Sequence, residues 1–185
     1  KLAKKAGMNV RQVVTGEEIR YNEECEDNQR GLAGCVPVYH IAAAAAAEGK
    51  TLDEVADIAQ RYADNMASIT VKSTDATHPQ NGMSFGDLGE TDQMEIGAGQ
   101  HGEGGGVRVP MASSKETVAL IAPKLVEHLG LASGDKAFVM INGCGATTMM
   151  EQLILYKDTV EYLQGLGIEV VANMVGEILT VQEAG

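Results

Sequence analysis

One histidine lies inside the most glycine-rich stretch of the chain, residues 97–106, which reads GAGQHGEGGG. His101 stands near the centre of this stretch, and six of its ten residues are glycine. Glycine allows positive φ and a close approach of the backbone to a ligand, so the stretch is typical of a ligand-binding loop. The residues expected to shape that loop are three glycines and one acid: Gly97, Gly99, Gly102 and Glu103.

The imidazole of His101 supports more than one interpretation. A neutral imidazole is a nucleophile, and its attack on a ketone carbonyl forms a hemiaminal that holds the molecule. A histidine in an irregular loop is a better functional candidate than one on a helix face. From the pattern alone, a metal ligand and a purely structural histidine stay open beside the nucleophile. The stretch is not a Walker loop, since no Gly-Lys-Ser/Thr ends it, and no helix follows it as a dinucleotide fingerprint requires.

The other histidines are weaker candidates for chemistry. His40 lies within an apolar helical pattern, His78 precedes a proline in a polar stretch, and His128 falls near a predicted helix end. No two histidines have the HxxxH spacing of zinc enzymes, and the three cysteines form no CxxC pair. We therefore predict no metal site in this chain.

Two polar turns follow predicted strands. The first, Asn142-Gly143-Cys144-Gly145, precedes a helix and either forms a tight strand-to-helix turn or lines a ligand or partner surface. In the second, Glu177 follows the last predicted strand, where it is either an acid in a cleft or a surface carboxylate. The residue types alone favour the structural interpretation of both turns.

The hydrophobic pattern and the turn signals predict alternating strands and helices around these segments. Three S/T-x-x-E sequences indicate helix starts, at Thr51, Ser113 and Thr148. Helices are predicted over residues 31–49, 51–67, 113–130 and 148–166, after the end of another helix at 1–7. Strands are predicted over residues 8–15, 68–73, 94–98, 136–142 and 169–179. This order indicates an α/β fold of the two-layer α+β kind, with helices mainly on one face of a mixed sheet.

The composition restricts the classes of partner. The net charge is −12 and the pI is near 4.7, which disfavours nucleic acid and anionic membrane surfaces because phosphate binding needs a basic face. No apolar run approaches the roughly 20 residues of a membrane-crossing helix, and no basic-then-apolar leader opens the sequence. We expect a cytoplasmic protein with neither a nucleic-acid nor a membrane partner.

Four segments in series resemble the K domain, or K subunit, of dihydroxyacetone (glycerone) kinases. Residues 94–103 resemble the family's MEIGxGIHGEPG motif, and residues 30–34 (RGLAG) resemble its RRGxAG segment. The turn at 142–145 with Glu151 resembles NGLGxTxxxE, and residues 175–177 resemble the start of VGExMTS. Their order and spacing agree with the family over nearly the whole chain.

The resemblance implies the second domain of the dihydroxyacetone kinase K fold and a phosphotransferase role in glycerol metabolism. In that family the histidine of the motif, here His101, holds dihydroxyacetone or a similar short ketose by a hemiaminal bond. Glycerol cannot form this bond because it lacks a carbonyl. A separate L subunit or domain donates the phosphoryl group and carries ATP or ADP with Mg²⁺. The chain itself is therefore expected to bind no cofactor and to form a homodimer.

The resemblance also implies a domain division. Residues 1–20 correspond to the tail end of an upstream α/β domain, and residues 21–185 correspond to the second domain, truncated at its last strand. In the family, contacts to the substrate hydroxyls and the proposed acid/base residues come largely from the upstream domain. We therefore expect the 185-residue chain alone to be inactive as a kinase.

A second hypothesis is a non-catalytic ketose-binding paralogue that acts as a coactivator or sensor for a transcription regulator. Some relatives of the family have such a role. Gln100 and Gly104 stand where the family usually has Ile and Pro, and these departures leave room for a different ketose or a regulatory role. Such a protein would keep His101 but would not support phosphoryl transfer with any L partner.

Overall fold

The computed structural model describes residues 1–19, 21, 30–84, 86, 88, 92–99, 106–181 and 185. Five helices lie in this part of the chain: α1 (Leu2–Lys5), α2 (Cys35–Ala47), α3 (Leu52–Ala63), α4 (Ser114–Leu129) and α5 (Met149–Gly165). Five strands accompany them there: β1 (Val71–Lys72), β2 (Gln93–Ile96), β3 (Val107–Pro110), β4 (Lys136–Asn142) and β5 (Glu169–Gly176). The α/β class predicted from the sequence is confirmed, with the antiparallel and the parallel strands in two small sheets.

The three S/T-x-x-E sequences start helices as predicted. In each of them the cap hydroxyl accepts a hydrogen bond from the backbone N–H of the glutamate, and the glutamate carboxylate accepts one from the backbone N–H of the cap. The pairs are Thr51 with Glu54, Ser113 with Glu116, and Thr148 with Glu151. These bonds satisfy N–H groups that have no partner inside the helix, which is why α3, α4 and α5 begin where they do.

The antiparallel sheet has β2 in its centre, with β1 and β3 on either side. Met94 and Ile96 of β2 are buried, and Glu95 between them points to the opposite face because successive side chains of a strand alternate. The register of β1 and β2 pairs Lys72 with Glu95. One face of β2 therefore enters the core while the other carries a pair of opposite charges.

The parallel sheet consists of β4 and β5, which α5 connects as a crossover. α5 packs on both strands and α4 packs on α5, around a buried core of Val139, Leu163 and Ile168. The register pairs Asn142 with Gly176 at the carboxyl ends of the strands. The two polar turns of the sequence therefore lie side by side at one edge of this sheet, where open α/β sheets commonly bind ligands.

One predicted strand is wrong, and one observed strand is not predicted. The strand predicted over residues 8–15 is wrong, because the structure describes all of these residues and assigns none of them to a strand. A strand requires a neighbour for its hydrogen bonds, whereas this segment is held to α3 by the ion pairs of Arg11 with Asp53 and Asp57. Strand β3 is not predicted, since only four residues alternate there and β2 supplies their pairing.

The helices of the described residues are too short or too polar to span a bilayer. α2 and α3 pack against each other and are joined by a short turn over residues 48–50. Pro37 lies in the first turn of α2, where the missing N–H costs no helical hydrogen bond. The predicted helix over residues 31–49 is therefore confirmed with a later start, after a turn at Ala33 and Gly34.

We expect Thr148→Ala to lower the free energy of unfolding by about 1 kcal/mol, the usual cost of losing an N-cap side chain. Urea denaturation followed by circular dichroism measures this loss. Thr148→Ser is the matched control, because serine keeps the hydroxyl that accepts the N–H of Glu151. An equal loss in both variants would contradict the capping role.

The effect of Thr148→Ala should also depend on pH. Hydrogen bonds from the side chain and the backbone N–H of Thr148 lower the pKa of Glu151. A lowered folded-state pKa contributes stability above the unfolded value, near 4.3 for glutamate, and this contribution is lost as the pH falls through the folded pKa. The difference between wild type and Thr148→Ala should therefore be smaller in denaturation curves at acid pH than at neutral pH.

Candidate functional site

The glycine-rich segment, defined as residues 97–106, begins directly after β2. Gly97 and Gly99 are buried, and Gly97 has a φ of +85°, a conformation that favours glycine over other residues. His101, Gly102 and Glu103 lie outside the described residues, so the roles predicted for them stay predictions. The described part of the segment therefore consists of residues 97–99 at its start and Gly106 at its end.

Both backbone polar groups of Gly97 have partners from elsewhere in the chain. Its N–H donates to the carbonyl of Thr70 at 2.7 Å, and its carbonyl accepts a hydrogen bond from Nη2 of Arg30 at 3.3 Å. Residues next to β1 therefore hold the first residue of the segment on one side, and Arg30 holds it on the other.

Arg30 also forms a two-pronged ion pair with Glu18. Its Nη2 donates to Oε1 of Glu18 at 2.7 Å, and its Nε donates to Oε2. The side chain of Glu18 is 7% exposed, and its backbone N–H donates to the carbonyl of Arg30 at 3.0 Å. A guanidinium can make this paired contact and reach a third acceptor at the same time, whereas a lysine ammonium lacks the planar fork.

Glu17, the neighbouring acid, explains Gly34 of the RGLAG stretch at residues 30–34. Its side chain is almost fully buried, and its Oε1 accepts the backbone N–H groups of Leu32 at 2.6 Å and Gly34 at 2.9 Å. A Cβ atom at Gly34 would overlap this carboxylate. Oε2 of Glu17 is buried without a hydrogen-bond partner among the described residues. The stretch that carries Arg30 is therefore shaped around a buried carboxylate.

A second charge cluster lies at the other end of the segment. Nζ of Lys72 is 2.8 Å from Oδ1 of Asp75 and 3.2 Å from Oε2 of Glu95, and the Lys72 side chain is only 13% exposed. Burial alone would lower the pKa of Lys72, but the hydrogen bonds and charges of the two acids outweigh it and raise that pKa. The side chain of Glu95 fills the space that a Cβ atom would need at Gly106. Both ends of the segment thus contact a partly buried ion pair.

The second candidate region is the edge of the parallel sheet. Oδ1 of Asn142 accepts the backbone N–H groups of Ile178 at 2.9 Å and Leu179 at 3.1 Å. Nδ2 of Asn142 donates to the carbonyl of Leu179 at 2.7 Å. The amide of Asn142 therefore fixes the path of the chain after β5, which is a structural role of the kind the turn sequence predicts.

At this edge Gln152 lies against both Glu177 and Gly143. The sequence pattern does not single out this glutamine. Gln152, in the first turns of α5, is 1% exposed. Its Nε2 donates to the carbonyl of Thr147 and to Oε1 of Glu177. A Cβ atom at Gly143 would overlap both the amide of Gln152 and the carboxylate of Glu177. Gly143 therefore allows the two polar side chains to meet.

Cys144 follows in the same turn with a φ of +59°, which is uncommon for a residue other than glycine. Burial, and after it the charge of Glu177, raises the pKa of the Cys144 thiol. A raised pKa keeps the thiol protonated at neutral pH, and the protonated form is a poor nucleophile. The turn therefore gives no support for cysteine chemistry.

The chain after β5 connects the two regions. The N–H of Val181 donates to the carbonyl of Cys144 at 2.7 Å, and farther along the carbonyl of Gly185 accepts the N–H groups of Ser73 at 2.6 Å and Thr74 at 2.9 Å. Ser73 follows Lys72 directly at the end of β1. Residues 177–185 therefore begin at the edge of the parallel sheet and end beside the charge cluster of the antiparallel sheet.

The described histidines and acids do not add a second reactive centre. His40 and His128 are exposed on α2 and α4, and their ranking below His101 stays a prediction. Within the described ranges, no three His, Cys, Asp or Glu side chains are grouped so that they could hold a metal ion. Sequence reasoning missed the contacts of four polar residues: Glu17, Glu18, Lys72 and Gln152.

Comparison with known proteins places the sequence in one family. Residues 1–185 match the Dak1 domain. The chain is 31% identical over 180 residues to the dihydroxyacetone-binding subunit of a PTS-dependent dihydroxyacetone kinase from Listeria innocua, covering 97% of this chain and 54% of that protein. It is 29% identical over 184 residues to the DhaKLM operon coactivator of Lactococcus lactis, covering 97% of this chain and 55% of that protein. The chain thus spans about half the length of the curated relatives it matches.

The fold is also known from solved structures. A dihydroxyacetone kinase operon co-activator superposes on the whole chain with a TM-score of 0.87. The two sequences are 24% identical, and the match covers 57% of that structure. The arrangement of five helices and two small sheets in the described residues is therefore an established fold.

We expect Gly143→Ala to lower the free energy of unfolding by about 1–3 kcal/mol, the usual cost of inserting a methyl group into a packed site. The new Cβ would overlap Gln152 and Glu177 and force them apart. Gly165→Ala is the matched control, because Gly165 lies in α5 with open space around it. Alanine should be neutral or stabilising there by up to about 1 kcal/mol. Similar losses in both variants would contradict the packing role of Gly143.

Proposed function

Since the chain belongs to the Dak1 domain family, we propose that it is the ketose-binding component of a dihydroxyacetone kinase. The observation that carries the proposal is the glycine-rich segment with His101 at its centre, because it combines a nucleophile with a backbone free to surround a small ligand. The buried start of that segment at Gly97 supports it, since a ligand-binding loop needs a fixed scaffold. The Listeria innocua relative, named as a dihydroxyacetone-binding subunit, points to the same ligand.

The proposed chemistry is capture of the carbonyl by the ring of His101. A ring nitrogen with its lone pair attacks the carbonyl carbon, a C–N bond forms, and the C=O π bond breaks. The carbonyl oxygen gains one proton while the ring loses the proton of its other nitrogen, so the net change adds N–H across C=O. The product is a hemiaminal. Glycerol is rejected because it has no carbonyl carbon to attack. Gly97, Gly99 and Gly102 shape the loop around the ketose, and Glu103 lies in the same loop.

Phosphoryl transfer then requires a partner. We assign phosphoryl donation to a separate L subunit or domain that carries ATP, or ADP that is rephosphorylated before each transfer, with Mg²⁺, and we expect the ketose-binding component to act as a homodimer. This division of labour is consistent with the net charge of −12, because an acidic chain is a poor binder of free polyphosphate. Residues 1–20 are proposed to belong with an upstream domain that completes the site.

His101→Ala should abolish formation of the ketone adduct, because alanine has no nucleophile. Native mass spectrometry of the whole protein that carries this chain should show a mass increase of one dihydroxyacetone in wild type and none in the variant. His40→Ala is the matched control, since His40 is an exposed histidine of α2. The adduct should weaken as the pH falls through the histidine pKa, near 6.5 in an ordinary environment. Equal binding by wild type and His101→Ala would refute the proposal.

A second candidate function is a ketose-dependent coactivator of transcription. The similarity to the Lactococcus lactis operon coactivator over 97% of this chain favours it. In this alternative His101 still captures the ketose, and the bound state is recognised by a regulator protein in place of an L subunit. The two candidates therefore share the binding step and differ in the protein that recognises the captured ketose.

A coupled assay with an L subunit, Mg²⁺ and a phosphoryl donor separates the two functions. If the protein is a kinase component, dihydroxyacetone phosphate should form, and His101→Ala should reduce its rate at least tenfold while His40→Ala should not. A wild-type protein that binds the ketone but yields no phosphorylated product with either an ATP-dependent or a PTS-dependent L subunit would exclude the kinase and favour the coactivator.

A further inference from the structure

We propose that Arg30 is a positioning residue of the ketose site, which sets the start of the glycine-rich segment and thereby the affinity for the carbonyl ligand. This inference rests on the proposed function of His101 as the residue that captures the ketone. It concerns a side chain that does not touch the ligand itself but holds the backbone from which the loop of His101 departs.

The contacts of Arg30 join three separate parts of the chain. Its guanidinium binds both carboxylate oxygens of Glu18, and the same Nη2 that contacts Glu18 at 2.7 Å also donates to the carbonyl of Gly97 at 3.3 Å. Glu18 is itself tied to Ser68 by a parallel β-bridge beside β1. The Gly97 carbonyl is thus bound to a side chain that is fixed at its other end.

Gly97 needs such a restraint because of its own conformation. Gly97 has a φ of +85°. Glycine can adopt more backbone conformations than any other residue, so the residue itself does not fix the direction of its carbonyl. The hydrogen bond from its N–H to Thr70 fixes the peptide that precedes it, and the contact with Arg30 fixes the peptide on its other side. The direction in which the chain leaves towards His101 therefore depends on Arg30.

The guanidinium group suits this task better than any other cation. Arg30 uses two nitrogens for Glu18 and still reaches the carbonyl of Gly97, which requires the planar fork of donors. A lysine would keep the positive charge beside Glu18, but its ammonium lacks the planar fork that binds both oxygens of Glu18 and the carbonyl of Gly97 together. Arg30→Lys therefore separates positioning from charge compensation, because it preserves the charge and removes the fork.

The test compares Arg30→Lys with Arg11→Lys, a matched control in which the arginine pairs with Asp53 and Asp57 on α3. Two quantities are measured at a temperature where circular dichroism shows every variant to be folded: the affinity for dihydroxyacetone, and the hydrogen-exchange rate, without ligand, of the Ala98 amide, which shares a peptide group with the Gly97 carbonyl. We expect Arg30→Lys to weaken ketone binding about tenfold and to accelerate exchange at Ala98 by a similar factor. Arg11→Lys should change neither by more than about twofold.

The outcomes distinguish this inference from the proposed function. If wild type does not bind the ketone, or binds it without His101, the proposed function fails. In that case the exchange rate of the Ala98 amide still decides whether Arg30 holds the segment, and an unchanged rate in Arg30→Lys overturns the inference. If wild type binds through His101 but Arg30→Lys binds equally well, the inference is overturned even when exchange is faster, because Arg30 then has only a structural role.

Discussion

A charge inside a protein is tolerated only when an opposite charge or several hydrogen bonds replace the water it has lost. This constraint governs the surroundings of the glycine-rich segment. Arg30 compensates Glu18 where the segment starts, and Lys72 compensates Glu95 where the segment ends. Each pair joins parts of the chain that are distant in sequence, so the positions of Gly97 and Gly106 depend on the charges being matched.

Glycine residues also help to accommodate these acids, because they leave space for the acid side chains. Several acids lie so close to a glycine that a Cβ atom at that position would overlap the acid side chain: Glu17 at Gly34, Glu95 at Gly106, and Glu177 at Gly143. Two of these glycines, Gly34 and Gly143, lie in segments that resemble the kinase family, and they make room for carboxylates. The absence of a side chain thus lets acids pack close to backbone turns, and Glu17 is almost fully buried there.

The sequence predicts best the structural features that depend on interactions between neighbouring residues. The capping boxes and β4 are correctly located because their signals lie within a few neighbouring residues. The strand predicted over residues 8–15 fails because a ladder needs a neighbour, and no local signal reveals that Arg11 binds α3 instead. The burial of Lys72 is equally hidden, since it depends on Glu95 in another strand. Composition alone finds the glycine-rich segment, but the residues that support it emerge only from pairing across the fold.

In the proposed function, ketose capture and phosphoryl transfer are chemically separate steps, which is consistent with relatives of this fold that are named as kinases and as coactivators. The imidazole of His101 would form a bond to the carbonyl carbon, whereas a hydroxyl oxygen elsewhere on the ketose would accept the phosphoryl group. The scaffold that holds Gly97 and Gly106 would therefore be needed for either proposed function. The choice between them depends on which protein approaches the captured ketose. Substitutions in this scaffold should accordingly impair both functions through ligand affinity, while changes in the partner alter only the outcome of binding.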